Sequence, residues 1–294
     1  MKQTILGAIY LSLAASIWGG MYVVSKYVLD FIPPLTLVWL RFIIAFVVLY
    51  GILKLAEKKQ KKKVTIRKKD WLLFAWIGFI GYFISITCQF IGTKLSDAHT
   101  GSLVTSATPA FMVIFAALIL KEKLTARRLL STIIATIGVI IVIGWDIEIG
   151  SYFIGTIILV GAAITWALLS IYVKIASIQF SSLVITTYAI FFSLFFITPF
   201  MIWELQAASI GTVNTYVILG VLYLGILSTA GAFFLWNKGL ELLDASIGSL
   251  FFFFQPIVGS LLGWLLLNET LNSNFFIGGI LIICSVLITT FEKK

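Results

Sequence analysis

Ionisable side chains are scarce in this chain. Only 11% of its 294 residues are Asp, Glu, Lys or Arg, less than half of the roughly 25% usual in a water-soluble domain. A soluble globular class is therefore excluded. Histidine occurs once, as His99, and cysteine twice, as Cys88 and Cys284. Neither cysteine has a CxxC partner, so no zinc site or redox pair is expected, and both thiols are expected to behave as small buried hydrophobes. The nucleotide loop GxxxxGK[ST] is missing, which argues against direct drive by ATP. No metal and no cofactor is expected, and no catalytic constellation marks an enzyme.

What the chain has instead is apolar surface: 61% of residues are hydrophobic, 15% are aromatic, and the mean hydropathy is +1.10. These residues fall into ten runs, each near the roughly 20 residues needed to cross hydrocarbon. The runs cover about 4–27, 35–55, 71–92, 98–120, 129–145, 152–173, 183–203, 213–236, 245–267 and 275–291. The expected fold class is an all-α membrane protein with ten transmembrane helices. The first run follows Lys2 like a secretory signal, but it is too long for a signal core and has an internal counterpart, described below. The longest polar stretch is Lys54 to Lys69, which leaves no room for a large soluble domain.

Charge asymmetry orients the chain, because Lys and Arg collect in short cytoplasmic loops. The stretch Lys54 to Lys69 alone holds nine cations and is placed inside. Even-numbered loops and both termini then face the cytoplasm and carry eighteen of the twenty-one cations. Odd-numbered loops carry mainly acids: Asp30, Asp97, Asp146, Glu148, Glu204 and Glu269. Topology accounts for the basic loop and for the net charge of +9, so no nucleic acid is implied. A supporting contact with anionic lipid headgroups stays open. The expected location is the cytoplasmic membrane, with the lipid bilayer and a small-molecule substrate as partners. Monomer and homodimer are not distinguished.

The chain repeats itself. Gly92 to Leu124 aligns without gaps on Gly239 to Leu271 at an offset of 147, with twelve of thirty-three positions identical, among them Asp97/Asp244, Gly101/Gly248, Pro109/Pro256 and Glu122/Glu269. A weaker echo at an offset of 148 pairs Trp18 and Lys26 with Trp166 and Lys174. Each repeat, residues 1–147 and 148–294, then holds five spans. An odd number of crossings inverts the second copy relative to the first, the arrangement characteristic of secondary transporters. The repeat also disposes of the histidine, since His99 becomes Ser246 in the second copy while Asp, Gly, Ser and Pro are kept. Asp97 and Asp244 read as helix caps. Glu122 and Glu269 read as turn or loop acceptors.

These residues resemble the EamA-type transporters of the drug/metabolite transporter superfamily. The resemblance rests on SIWGGMYVVSK (Ser16 to Lys26), WLRF (Trp39 to Phe42), TPAFMVIFAALILKEKLT (Thr108 to Thr125) and QPIVGSLLGWLLLNETL (Gln255 to Leu271). It implies a ten-helix inverted repeat that moves small metabolites, often outward.

In such proteins the substrate site lies near the midplane, at spans interrupted by Pro or Gly. Pro109 and Pro256 each lie about eleven residues into their span, and each is expected to kink its helix. Ser102, Thr105, Ser106 and Thr108 precede the first proline. Phe251 to Phe254 and Gln255 precede the second, so the cavity is expected to be hydroxyl-lined on one wall and apolar on the other. The alternative is that these hydroxyls bond only their own backbone. Arg41 is the one strong charge well inside a span, about 10 Å deep at 1.5 Å per residue. It is read as the attractor of an anionic group such as a carboxylate, or else as a donor to carbonyls of a neighbouring helix. Trp18, Trp166, Trp236 and Tyr223, with Tyr82, offer stacking faces, and Gln89 is a further polar candidate within a span. Lys26 is a membrane-face anchor or a gate. Gly259 and Gly263 suit close helix approach, within the chain or between subunits. All twelve acids stand at span ends or in loops, which favours facilitated diffusion or exchange over proton or sodium coupling. The expected activity is secondary transport of small organic metabolites, amino acids or related compounds, in the export direction. The alternatives are export of drug-like cations and, from another class, a membrane scaffold or membrane-embedded enzyme.

Overall fold

A computed structural model of the chain describes residues 2–60, 65–122, 125–143, 150–267 and 273–290. Residues 61–63 of the basic loop, Lys123, Asp146, Glu148, Glu269, Lys293 and Lys294 lie outside them, as do the side chains of His99 and Arg128. In hydrocarbon no water is present to pair with a free N–H or C=O, so a spanning segment must satisfy its backbone internally, which a helix does. The described residues accordingly form helices joined by short turns, without a strand. They are α1 (Lys2–Val28), α2 (Pro34–Gln60), α3 (Lys68–Leu95), α4 (Ala98–Thr105), α5 (Thr108–Ile119), α6 (Ala126–Ile143), α7 (Ser151–Ala176), α8 (Ser182–Ala207), α9 (Thr215–Leu242), α10 (Ala245–Ser249), α11 (Phe254–Leu267) and α12 (Ser273–Thr290).

Eight segments among the described residues are long and apolar enough to cross a membrane, and they match eight of the ten runs. The fifth and tenth runs are occupied by α6 and α12, helices of 18 residues each that pack against one another. The exterior is apolar: Leu72, Phe195 and Leu118 are 75%, 73% and 72% exposed, whereas Arg41, Ser106, Ser170, Thr186 and Thr229 are fully buried. That inside-out distribution suits lipid as the surrounding medium.

Helix pairings follow the repeat. The pairs α1 with α9 and α1 with α11 have counterparts in α7 with α3 and α7 with α5. The pair α2 with α9 is matched by α8 with α3, while α2 with α8 and α6 with α12 are their own counterparts.

Both proline-bearing spans are interrupted, and by more than the expected kink. The first breaks into α4 and α5 around Ser106 and Ala107, with Pro109 in the opening turn of α5. The second passes through a 3₁₀ stretch, Leu250–Phe253, before α11, whose first turn contains Pro256. Proline has no N–H to lose in a first turn, which makes it a starter of the second segment. The Thr105 carbonyl that Pro109 deprives of its donor is recovered by the Thr108 hydroxyl at 2.5 Å.

A second pair of irregularities carries no mark in the sequence. Within α3, Gly78–Ser85 winds as a π-helix, and within α9 so does Tyr223–Gly231, at nearly the equivalent place. Wide turns of this kind are rare, occur mostly as single-turn bulges within α-helices, and are frequent at functional sites. Cys284 corrects the expectation of two buried thiols: it is exposed on α12, and Cys88 is half-buried. Gly259 meets Ser102 on α4 and Gly19 on α1, so that close approach is made within the chain.

Candidate functional site

Seven of the residues singled out from sequence meet around one central cavity: Trp18, Arg41, Gln89, Thr105, Thr108, Trp166 and Gln255. Met21, Ser85, Ile86, Ala162, Ala163, Phe233 and Phe252 complete its wall. Equivalent positions face one another, since Trp18/Trp166, Thr105/Phe252 and Thr108/Gln255 are repeat counterparts. Thr105 stands where the second half supplies Phe252, but Thr108 stands where it supplies the polar Gln255, so the second half's share of the wall is not purely apolar. The cavity has a volume of about 20 Å³, room for about one water. A metabolite enters only if these helices part.

Arg41 is 0% exposed and projects from α2 toward the π-helical turn of α9. Its Nε donates to the Thr229 hydroxyl at 2.6 Å and one terminal nitrogen donates to Ser228 Oγ at 3.2 Å. The other reaches only the Met21 thioether, at 3.5 Å. The rings of Phe90 and Phe233 lie 4.9 and 5.7 Å from its central carbon. Partners are thus side-chain hydroxyls and not the neighbouring carbonyls weighed from sequence. Among the described residues no carboxylate pairs with it. A guanidinium has five N–H groups, and two good acceptors leave most of that capacity unused.

Aromatic rings pack around the cavity. Trp18 lies edge-on to Trp166 with centroids 5.1 Å apart and stacks on Phe252 at 5.8 Å. The Trp18 Nε1 donates to the Ser228 carbonyl at 3.0 Å, which ties α1 to the same π-helical turn that holds Arg41. Tyr22, not among the residues expected at the site, is 0% exposed and central to a polar relay: its hydroxyl meets Thr105 Oγ1 at 2.6 Å and receives Gln89 Nε2 at 2.5 Å.

Four candidates do not line the cavity. Ser106 donates to its own helix at Leu103 O, 2.6 Å, as the backbone-bonding alternative held. Ser102 packs onto Gly259. The Tyr223 hydroxyl donates to Ile17 O at 2.8 Å, fastening α9 to α1. Trp236 stands behind the wall against Trp18 and Phe252, with Nε1 toward Ser170 Oγ at 3.3 Å. A uniformly apolar helix shows no sequence preference for one face, so periodicity could not separate these from the lining set.

Lys26 holds backbone. Its Nζ donates to the carbonyls of Thr93, Lys94 and Ser96 at 3.2, 3.3 and 2.5 Å, at the C-terminal end of α3. Its repeat counterpart does the same for α9: Lys174 Nζ donates to Leu240 O and Leu243 O at 2.8 and 2.7 Å. The last carbonyls of a helix lack intrahelical donors and form the negative end of its dipole, so a cation there is doubly favourable. Lys174→Met is expected to cost about 1–2 kcal/mol after allowance for solvent screening. Thermal unfolding in detergent, followed by circular dichroism, would show it as a midpoint lower by a few degrees. An unchanged midpoint would mean that the carbonyls need no lysine. Asp97 caps α4 as expected, accepting from Thr100 N at 2.8 Å, and the Glu122 carboxylate accepts from Ser246, the counterpart of His99.

Comparison with known proteins gives one consistent answer. The EamA-like transporter family model matches this chain twice, over residues 5–144 and 153–291. The uncharacterized transporter YetK of Bacillus subtilis (strain 168) is 28% identical over 291 residues, covering 97% of this chain and 87% of YetK. A probable amino-acid metabolite efflux pump of Escherichia coli (strain K12) is 25% identical, with 96% and 94% of the two chains covered. One solved crystal structure superposes with a TM-score of 0.71 at 19% identity, covering 97% of this chain and 96% of the other, a likeness of fold. The chain belongs to the EamA-like transporter family and is a multi-pass membrane transporter.

Proposed function

We propose that this protein is a secondary transporter of ten spans, built as two inverted repeats over residues 1–147 and 148–294. It carries small carboxylate-bearing metabolites, amino acids or related compounds, outward across the cytoplasmic membrane by alternating access, with both termini in the cytoplasm. The observation that carries this reading is Arg41, a fully buried charge with spare donors on the wall of a central cavity and no carboxylate partner among the described residues. A charge at that depth is too costly to keep without a task, and a planar guanidinium suits a carboxylate at two points. The double family match and the exchanged helix pairings support the repeat. The name of the Escherichia coli relative supports the substrate class and the outward direction.

Trp18, Gln89, Thr105, Thr108, Trp166 and Gln255 are the contact residues in this reading, while Ser102, Ser106, Tyr223 and Trp236 hold the helices that present them. Lys26 anchors the end of α3, and a gating role would require its three carbonyl contacts to break. The ring of Trp18, Trp166 and Phe233 favours a second reading, export of drug-like cations, because aromatic faces attract quaternary ammonium groups. Arg41 in the same wall opposes it by repulsion.

Purified protein in liposomes distinguishes the two. Saturable flux of labelled amino acids without flux of tetraethylammonium is the expected result, insensitive to imposed proton or sodium gradients. Tetraethylammonium flux alone, or no flux of either from folded protein, would overturn the proposal.

A further inference from the structure

We infer that Gln89 and Gln255, which line the same cavity as Arg41, accept the N–H groups of a substrate ammonium. The inference rests on the reading of Arg41 as the carboxylate site and adds a second recognition element to it.

Buried side-chain oxygen and nitrogen atoms without a partner are few among the described residues, and three of them, Gln89 Oε1, Gln255 Oε1 and Trp166 Nε1, belong to side chains lining this cavity. Buried polar atoms are almost always paired, so groups left without a protein partner on a cavity wall call for a water or a ligand in that cavity. Gln255 is itself only 1% exposed.

The orientation of the Gln89 amide follows from counting protons. Thr105 has one hydroxyl proton and gives it to Gly101 O at 2.7 Å, so toward Tyr22 it can only accept. Tyr22 must then spend its own proton on Thr105, and its oxygen can only accept from Gln89. Gln89 therefore presents Nε2 to Tyr22 and is left with Oε1 free. The buried Tyr22 phenol thus fixes the Gln89 amide, and the amide oxygens of Gln89 and Gln255 are both left without a protein partner.

Arg41 and Trp166 contribute only donors to the cavity, and the glutamine oxygens only acceptors, yet neither set is bonded to the other. A ligand that satisfies both carries a carboxylate and a protonated amine on one small frame. A carboxylic acid without the amine leaves two buried acceptors unmatched. An amine without the carboxylate meets an uncompensated guanidinium. Sites built around hydrogen bonds to a substrate N–H discriminate strongly against analogues that lack it.

The test uses the full chain in liposomes, with the twenty protein amino acids assayed singly and the fastest then compared with its desamino carboxylic acid. The wild type is expected to favour the amino acid by at least about tenfold. Gln255→Leu and Gln89→Leu should each lower that preference severalfold, whereas Gln255→Glu, which keeps an acceptor, should retain it. Arg41→Gln should instead depress flux of both compounds, which separates failure of this inference from failure of the carboxylate reading. Equal wild-type flux of the two compounds would overturn the ammonium site. So would a preference untouched by the leucine variants, the result expected if water alone bridges the two oxygens. The wild-type comparison stands even if a leucine variant does not fold.

Discussion

Arg41→Gln is expected to lower flux of carboxylate substrates by about thirtyfold or more while leaving the protein folded. The magnitude follows from removing one partner of a desolvated charged pair, which costs about 2–5 kcal/mol, at about 1.4 kcal/mol per factor of ten. The stability arm points the other way. In the substrate-free protein the guanidinium is fully buried, with two hydroxyls and a thioether for partners. A buried charge lacking an opposite charge is a burden on the fold. Glutamine, neutral and able to reach the same hydroxyls, should unfold at the same temperature or higher. Arg41→Lys keeps the charge but loses the fork, and is expected to retain part of the flux. Paired flux and melting measurements on the same preparations check both arms. Normal carboxylate flux from folded Arg41→Gln would sink the carboxylate role.

Gly19→Ala is expected to damage both folding and transport. A methyl group at Gly19 on α1 would stand 2.7 Å from Gln255 O, 2.8 Å from Val258 Cβ and 2.9 Å from Gly259 N. Two of those atoms are backbone, so no change of rotamer relieves the clash and α1 must move off α11. Overpacking of this kind costs about 1–3 kcal/mol. The same shift would part Trp18 and Met21 on α1 from Gln255 on α11, which line the cavity together. The expected observation is a melting point lower by several degrees and a smaller folded yield, with reduced flux from what does fold. Gly51→Ala is the control, because nothing lies within 4 Å of a methyl there. Its helix should hold or gain slightly, alanine being the better helix former. Equal behaviour of the two variants would show that the crossing tolerates spreading.

The parts of the site that could be read from sequence share a property: they violate the local rule. Arg41 is a charge inside an apolar run, and Pro109 and Pro256 are helix breakers inside helices. Each is costly where it stands, and cost is visible without coordinates. Even there the outcome differed in kind, because the spans break and restart at the prolines instead of bending around them. The π-helical turns left no such trace. Gly78–Ser85 and Tyr223–Gly231 read as ordinary apolar sequence, and their widening depends on what packs against them. Yet the second turn supplies Ser228 and Thr229, the hydroxyls that hold Arg41 from 187 and 188 positions away. Tyr22 was equally silent, one aromatic among many until Thr105 and Gln89 are brought to its hydroxyl.

By itself the sequence determined the medium, the approximate length and place of the membrane segments, and the duplication. Each of these is a sum over many residues: hydropathy over a run of about twenty, or identity over thirty-three aligned positions. Only the tertiary structure decided which polar side chains face the cavity, which serve their own backbone, and which atoms are left without a partner. The physical reason is that helices apolar on every side carry no period that tells an inner face from an outer one. Whether a threonine such as Thr105 meets a neighbour or a serine such as Ser106 bonds only its own carbonyl is settled by a rotation of one residue, about 100° around the helix. Such a rotation becomes visible only when the other helices are in place.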